Sequence, residues 1–187
     1  MFEFLINTYI LHWEPSRAIW IGGHTLSWDA RCSGIYIGFG IGVLYQVAID
    51  WKMRKSPSAN FLLTKTIFLF PLFFDVFTIR YGLRAPSNDM RYLTGLFFGE
   101  AFSAYLYPAF IIMVSAKAND LMLSYSLKRL ALPLILIVFM FFLKEWNNVL
   151  AFGILELTGI AGFLSLFGIL AIGMLKAFIN ISSPKTV

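Results

Sequence analysis

The chain has 187 residues, of which 59% are hydrophobic, 18% are aromatic and 13% are charged. A soluble domain carries about 25% charged residues, so the composition excludes an ordinary soluble globule and indicates a multi-pass integral membrane protein. The formal net charge is +5, but the basic residues stand at the ends of long apolar runs, which favours a role in membrane orientation over binding of nucleic acid.

The first 31 residues are predicted to lie at the membrane surface. Residues 1–12 are apolar but too short to cross, and they contain Glu3 and Asn7. They lack the basic start and the small-residue cleavage site of a signal peptide. We interpret them as an interfacial helix, with a partial sixth span as the alternative, and the rest of residues 1–31 as an outward polar segment.

Five apolar runs follow, and a helix needs roughly 20 apolar residues to cross the hydrocarbon. They are residues 32–50, 61–79, 92–115, 130–143 and 149–175. The fourth is short, so it is predicted to tilt or to extend backwards through residues 122–128. Only residues 144–148 separate the last two, which should form an antiparallel hairpin. The sequence therefore predicts an all-α bundle of about five transmembrane helices, with a three-span core at 32–115 and a two-span hairpin with a short tail at 116–187.

The charged residues at the ends of these runs favour an N-terminus outside the cell membrane. The basic residues then facing the cytoplasm are Lys52, Arg54, Lys55, Lys117, Lys128, Arg129, Lys176 and Lys185. Those facing outward are Arg17, Arg31, Arg80, Arg84, Arg91 and Lys144. The outer set is mostly arginine, whose planar fork suits carboxylate and phosphate groups, so we interpret it as a binding set rather than a topology signal.

Glycines recur along two of the runs. Gly34, Gly38 and Gly42 lie at intervals of four in the first, and the fifth carries a looser set. Small residues at this spacing let membrane helices approach closely. These glycines are therefore predicted to form packing surfaces, either against helices of this chain or against other subunits.

The segment before the first run carries residues that bind metals. His12, His24, Asp29 and Cys32 offer two imidazoles, a carboxylate and a thiolate, which are an acceptable ligand set for zinc. The single cysteine excludes an internal disulfide and any CxxC pair. The spacing matches no standard zinc motif, and the alternative is that these residues are interfacial groups at a helix mouth.

The loop between the second and third runs carries a different chemistry. Asp75 lies about one turn inside the outer end of its run, where an ionisable residue has a partner or faces a cavity. Arg80, Arg84 and Arg91 are the predicted partners. Asn88, or Ser87 before it, is placed to cap the third span, whose positive end would then point outward.

Two interpretations of this loop stay open. In one, Asp75 pairs with an arginine and pins two helices. In the other, Arg84, Asn88 and Arg91, helped by Arg17 and Arg31, hold an anion such as a lipid phosphate beside the helix terminus. Asp75 would then orient the arginines or act as a base.

Three charged residues lie deeper in the runs. Glu100 and Glu156 are predicted to be hydrogen-bonded or neutral rather than catalytic. Lys65, four residues inside the second run, is predicted to extend its ammonium group towards the inner surface.

The outer segment and the loop together resemble an uncharacterised prokaryotic membrane family of unknown function. The family pattern has Cys-His, Pro-Glu-Arg-Ser and Cys-Ala-Arg-Cys-Thr-Gly before one span, and then Asp-Gly, Gly-Leu-Arg, Ser-Asn, Arg and Thr-Gly. The matching residues are His12, Pro15, Arg17, Ala30, Arg31, Cys32, Gly34, Asp75, Thr78, Gly82, Leu83, Arg84, Ser87, Asn88, Arg91, Thr94 and Gly95. The resemblance covers about residues 11–100.

The chain departs from the family pattern at three positions. Leu11 and Asp29 replace cysteines, and Val76 replaces a glycine. The family's cysteines and histidine imply a soft-metal site, of which this chain keeps His12 and Cys32. The substitutions therefore imply either a rebuilt site or a lost one.

These observations predict a membrane protein whose outward cluster binds an anionic lipid headgroup or a metal ion such as zinc. The alternative is a non-catalytic accessory subunit of a larger membrane complex, or a homo-oligomer, and the lost cysteines favour it. A small permease is a third candidate, disfavoured by the absence of a visible repeat. The residues name no reaction.

Overall fold

The computed structural model describes residues 15–49, 55–115, 121–123 and 127–182. This part of the chain is mostly helical. In chain order it contains a 3₁₀ turn (Pro15–Arg17), β1 (Trp20–Ile21), β2 (His24–Thr25), α1 (Ala30–Ile49), β3 (Lys55–Pro57), α2 (Ala59–Ile67), α3 (Phe70–Arg80), α4 (Asn88–Ser115), β4 (Leu121–Leu123), α5 (Leu127–Leu143), a second 3₁₀ turn (Lys144–Trp146) and α6 (Val149–Ser182).

Within the described residues, three helical stretches are long and apolar enough to cross a membrane. They are Ala59–Arg80, Asn88–Met113 and Val149–Lys176. They correspond to the second, third and fifth apolar runs of the sequence. α1 and α5, with 20 and 17 residues, occupy the first and fourth runs.

The sequence suggested one continuous helix for the second run, but the structure has two helices there. α2 and α3 meet at a turn, where the N–H groups of Phe68 and Leu69 donate to the carbonyls of Lys65 and Thr66 three residues back. Pro71 then occupies the first turn of α3, where its missing N–H costs nothing. A tight turn therefore joins two short helices.

The last two helices also differ from their predicted bounds. α5 begins at Leu127, so the backward extension reaches only that far, and Leu121–Leu123 instead form β4, which pairs in parallel with β3. α6 continues past residue 175 to Ser182. The short connection at residues 144–148 is confirmed, because it consists of the 3₁₀ turn and two asparagines.

The most extensive helix contact of the described bundle lies between α1 and α4. A Cβ on Gly34 would collide with the carbonyl oxygen of Tyr92, and one on Gly38 would collide with that of Leu96. From the other side, a Cβ on Gly95 would lie 2.5 Å from the carbonyl oxygen of Arg31. The predicted packing surface is confirmed, and its partner is a helix of the same chain.

A second close approach joins α1 to α6. A Cβ on Gly40 would lie 3.0 Å from the Thr158 carbonyl oxygen, and one on Gly162 would collide with that of Tyr36. By contrast, Gly153 and Gly168 meet nothing within 4 Å in the described structure. The looser glycine set of the last run is therefore only partly a packing surface.

Residues 15–29 cover one end of the bundle, and we call them the N-terminal cap. Its strands β1 and β2 pair antiparallel, and Ile21 and Leu26 are buried. At the hairpin tip, Gly22 has a φ of 58°, and its N–H donates to Asn147 Oδ1 over 2.6 Å. The cap is thereby fixed to the connection between α5 and α6. The interfacial helix predicted at residues 1–12 lies outside the described residues.

We expect Gly38→Ala to destabilise the protein by about 1–3 kcal/mol, since the added methyl group must push two backbones apart. The matched control is Gly153→Ala, which meets open space and should be neutral or stabilising by up to ~1 kcal/mol through helix propensity. Unfolding of both variants in detergent, followed by tryptophan fluorescence, checks this. Equal stability of the two variants would contradict the close contact between α1 and α4.

Candidate arginine site

Most of the predicted site residues meet at the end of the bundle that the N-terminal cap covers. The start of α1, the end of α3, the loop after α3 and the start of α4 all lie there. We define the arginine cluster as Arg17, Arg31, Arg84 and Arg91 together with Asp75.

Asp75 is the centre of the cluster. It is 3% exposed, and both of its oxygens accept hydrogen bonds from arginine. Arg31 Nη2 donates to Oδ2 over 2.6 Å, and Arg84 Nη2 donates to Oδ1. A buried carboxylate needs such partners, and here they join α1, α3 and the following loop. The predicted pairing of Asp75 with Arg84 is confirmed, while the second partner is Arg31.

Arg91 and Asn88 form the other half of the cluster. Arg91 Nη1 donates to Asn88 Oδ1 over 3.1 Å, and no carboxylate of the described chain pairs with this guanidinium. The Asn88 amide donates to the carbonyl oxygens of Ser16 and Ala18 at 3.2 and 3.4 Å. Asn88 therefore ties α4 to the N-terminal cap, and Ser87, whose carbonyl accepts the Arg91 N–H, stands at the cap position of the helix.

The cluster carries more positive than negative charge. Arg91 lies within electrostatic range of Arg17, Arg31, Asp75 and Asp29. Arg31 adds an Nε–H that is buried and has no acceptor among the described residues. Such a donor costs about 1–3 kcal/mol, so the described residues do not fully satisfy the Arg31 guanidinium.

The described residues among the predicted zinc ligands have other partners. Asp29 Oδ1 accepts the Cys32 N–H over 2.7 Å and so caps α1. The His24 ring stacks on Phe152 with centroids 5.0 Å apart. No three metal-binding side chains are grouped together in the described part of the chain. Because His12 lies outside it, zinc binding stays a prediction.

A second buried ion pair lies deeper in the bundle, between α2 and α4. Lys65 Nζ donates to Glu100 Oε1, and the two residues are 1% and 3% exposed. The rings of Phe61 and Phe68 lie 5.5 and 5.7 Å from the ammonium. The prediction that Lys65 reaches towards the membrane surface is wrong, because Glu100 offers a charged partner inside the bundle. Glu100 is hydrogen-bonded, as predicted.

Glu156 is also hydrogen-bonded, as predicted, and its partner lies in the N-terminal cap. Its Oε2 accepts the Ser27 N–H over 3.2 Å, and its Oε1 accepts the Ser27 hydroxyl. These bonds fix the cap to α6, and they explain why a carboxylate stands near the start of an otherwise apolar helix.

Comparison with known proteins shows the family of this chain. A family described as "Predicted membrane protein (DUF2085)" matches residues 11–106, just over half of the chain. The chain belongs to this family. The match includes α1, α2, α3, most of α4 and all four arginines of the cluster. How each residue corresponds to the Cys-Ala-Arg-Cys and Gly-Leu-Arg pattern stays a prediction.

Two archaeal proteins are similar to this chain, and both are named as uncharacterised. One, from Methanocaldococcus jannaschii, is 32% identical over 115 residues, which cover 61% of this chain and 72% of that protein. The other, from Methanothermobacter thermautotrophicus, is 35% identical over 88 residues, which cover 47% of this chain and 76% of that protein. No solved structure matches the chain.

Removing the central carboxylate should weaken the whole cluster. We expect Asp75→Asn to lower the free energy of unfolding by about 2–4 kcal/mol. This loss lies below the upper range for a broken buried ion pair because both arginines are partly exposed. Asp89→Asn is the control: its carboxylate is 65% exposed and should contribute about 1 kcal/mol or less. Thermal unfolding in detergent compares them, and a harmless Asp75→Asn would exclude Asp75 as the centre of the cluster.

The deeper ion pair can be tested by a double-mutant cycle. Lys65→Met or Glu100→Leu alone should cost about 3–5 kcal/mol, because each leaves an unpaired charge inside the bundle. The double variant should recover most of this loss, since it buries no charge. Unfolding by denaturing detergent measures the cycle. Strictly additive losses would show that the two side chains do not interact.

Proposed function

We propose that this protein crosses the cell membrane five times, with its N-terminus outside, and binds the phosphate of an anionic lipid headgroup at the arginine cluster. The observation that carries the proposal is the charge balance among the described residues, where the guanidinium groups of Arg31, Arg84 and Arg91 lie with the carboxylates of Asp75 and Asp29. A positive excess at the mouth of a helical bundle favours the binding of an anion.

The five-span topology rests on α1 and α5. A helix of 20 residues, the length of α1, spans about 30 Å, which is the thickness of the hydrocarbon. α5 is shorter at 17 residues, a mismatch that bilayer thinning accommodates at modest cost. α1, α5 and the three longer stretches together make five crossings. Because this number is odd, the first and last crossings lead to opposite sides of the membrane.

The orientation rests on the different basic residues at the two ends. The end under the N-terminal cap carries arginines that are held in ion pairs and hydrogen bonds. In the sequence, Lys52, Arg54 and Lys55 follow the C-terminal end of α1, and Lys117 follows that of α4. Lysine and arginine in short loops favour the cytoplasm, and the arginines engaged by Asp75 should not be counted as such a signal.

Within the cluster, the arginines divide into two roles. Arg31 and Arg84 are held by Asp75, so they fix the geometry. Arg91 hydrogen-bonds the neutral Asn88, and its charge is the better candidate for a phosphate, which an arginine fork binds through two parallel hydrogen bonds. Arg17, in the N-terminal cap, lies within electrostatic range of Arg91.

A second candidate function is that of a structural subunit in a larger membrane complex. The observation that favours it is that arginines occupy both oxygens of Asp75, as in a lock between helices. Zinc binding at His12, His24, Asp29 and Cys32 is a weaker proposal, because Asp29 already caps α1.

Lipid binding to Arg91 variants tests the proposal. We expect the purified protein to bind phosphatidylglycerol at least about tenfold more tightly than diacylglycerol, which lacks the phosphate, when measured by native mass spectrometry. Arg91→Gln should remove this difference, and Arg91→Lys should keep only part of it, since lysine lacks the fork. The control is Arg80→Gln, an exposed arginine at the end of α3. Equal phosphatidylglycerol binding by Arg91→Gln and the wild type would exclude this site and favour the structural role.

A further inference from the structure

A polar cavity of about 490 Å³ opens beside the arginine cluster. It lies between the N-terminal cap, the start of α4 and the connection from α5 to α6. Its lining consists of Ala18, Ile19, Trp20, Asn88, Asp89, Lys144, Glu145 and Asn147. The volume is in the range of sites that hold small ligands, and the charged side chains decide which chemistry fits.

The charged groups of the cavity are one ammonium and two carboxylates. Lys144 Nζ binds Asp89 Oδ1 and Glu145 Oε1, each over 2.6 Å. Burial alone would lower the pKa of Lys144, but the hydrogen bonds and charges of Asp89 and Glu145 outweigh it and raise this pKa above its ordinary value. Lys144 therefore stays charged at neutral pH and is held by both carboxylates.

The two carboxylates keep capacity for another cation. Lys144 binds one oxygen of each, and the described residues offer no hydrogen-bond donor to the second oxygens. Their side chains are 65% and 60% exposed, whereas that of Lys144 is 8% exposed. The lining thus carries a net negative charge, and its accessible groups are acceptors. Trp20, which is 66% exposed, adds an aromatic ring of the kind that attracts cations.

Asn88 links this acidic cavity to the basic cluster. It lines the cavity, and its Oδ1 accepts the hydrogen bond from Arg91 Nη1. Asn88 therefore contacts both the positive Arg91 and the cavity that holds Asp89 and Glu145. A ligand that carries an anion and a cation on a short linker matches both.

We propose that this cavity takes the primary ammonium group of a phosphoethanolamine headgroup whose phosphate lies on the arginine cluster. The inference rests on the proposed phosphate site and narrows its ligand class: the phosphate is still the anionic group, but the headgroup also carries an ammonium and is zwitterionic. A primary ammonium donates three hydrogen bonds, which suits the free carboxylate oxygens of Asp89 and Glu145. A quaternary ammonium donates none, so choline headgroups fit less well.

Part of this selectivity lies outside the region that matches the family. The arginines fall within residues 11–106, whereas Lys144, Glu145 and Asn147 lie beyond it. The phosphate site would then be a property of the matched region, and part of the preference for an amine would come from Glu145 in the C-terminal hairpin of this chain.

Native mass spectrometry of the full chain tests the inference with four lipids: phosphatidylethanolamine, phosphatidylcholine, phosphatidylglycerol and diacylglycerol. The wild type should bind phosphatidylethanolamine about tenfold more tightly than phosphatidylcholine, and more tightly than phosphatidylglycerol. Glu145→Gln should reduce the preference for phosphatidylethanolamine about fivefold. Unchanged binding of phosphatidylglycerol by this variant shows that it is folded. Free phosphoethanolamine, added as a competitor, distinguishes a soluble ligand from a lipid. Displacement of the bound lipid would mean that the headgroup alone is the ligand, and retention would mean that the ligand is the whole lipid.

The outcomes separate this inference from the proposed function. Equal or weaker binding of phosphatidylethanolamine than of phosphatidylglycerol, with both bound better than diacylglycerol, would overturn the ammonium site and leave the phosphate site standing. No preference for either phospholipid over diacylglycerol would overturn both. An unchanged preference in Glu145→Gln would also overturn the role of the cavity.

Discussion

Two backbones touch where α1 crosses α4, and the polar end of the protein is built on that contact. Gly34 and Gly95 meet at the end of this contact that is nearest the N-terminal cap. The carbonyl oxygen of Arg31 lies where a side chain on Gly95 would stand. Arg31 and Arg91 lie one turn before these glycines. The absence of two side chains therefore brings two arginines together. Packing of small residues drives helix association in lipid, and here it also assembles a charged site.

The arginines at the polar end differ in their partners. Asp75 is the buried carboxylate of the cluster, and it accepts hydrogen bonds from Arg31 and Arg84. Arg91 is left with the neutral Asn88. The pairs made by Asp75 hold the helices together, and the proposed phosphate site would use the charge of Arg91. The N-terminal cap is held to α6 by the hydrogen bond from Ser27 to Glu156.

Features encoded locally could be predicted from the sequence. The glycine spacing predicted the packing surface of α1, and the sequence included Arg84, nine residues away, among three candidate partners of Asp75. The helical runs gave the approximate bounds of α1 and α4. The tight turn at Phe68 and Leu69 was missed, because its apolar residues do not interrupt the hydropathy.

Contacts between distant segments could not be predicted in the same way. Lys65 and Glu100 are 35 residues apart, and their meeting depends on how α2 rotates against α4. Ser27 and Glu156 are 129 residues apart. Periodicity places a charged residue on a helix face but does not say which face of which neighbour it meets. The acidic cavity has the same origin, since three separate segments contribute its lining.

The measurement that tests the central claim most directly is the dipolar coupling between lipid phosphorus and arginine guanidinium nitrogen. Solid-state NMR of the protein, labelled at its arginine nitrogens and placed in phospholipid bilayers, measures this coupling. We predict strong coupling at one or two guanidinium groups, lost on replacing Arg91, while the groups held by Asp75 remain uncoupled. Uniformly weak coupling at all arginines would contradict a phosphate site at the cluster and leave it a lock between helices.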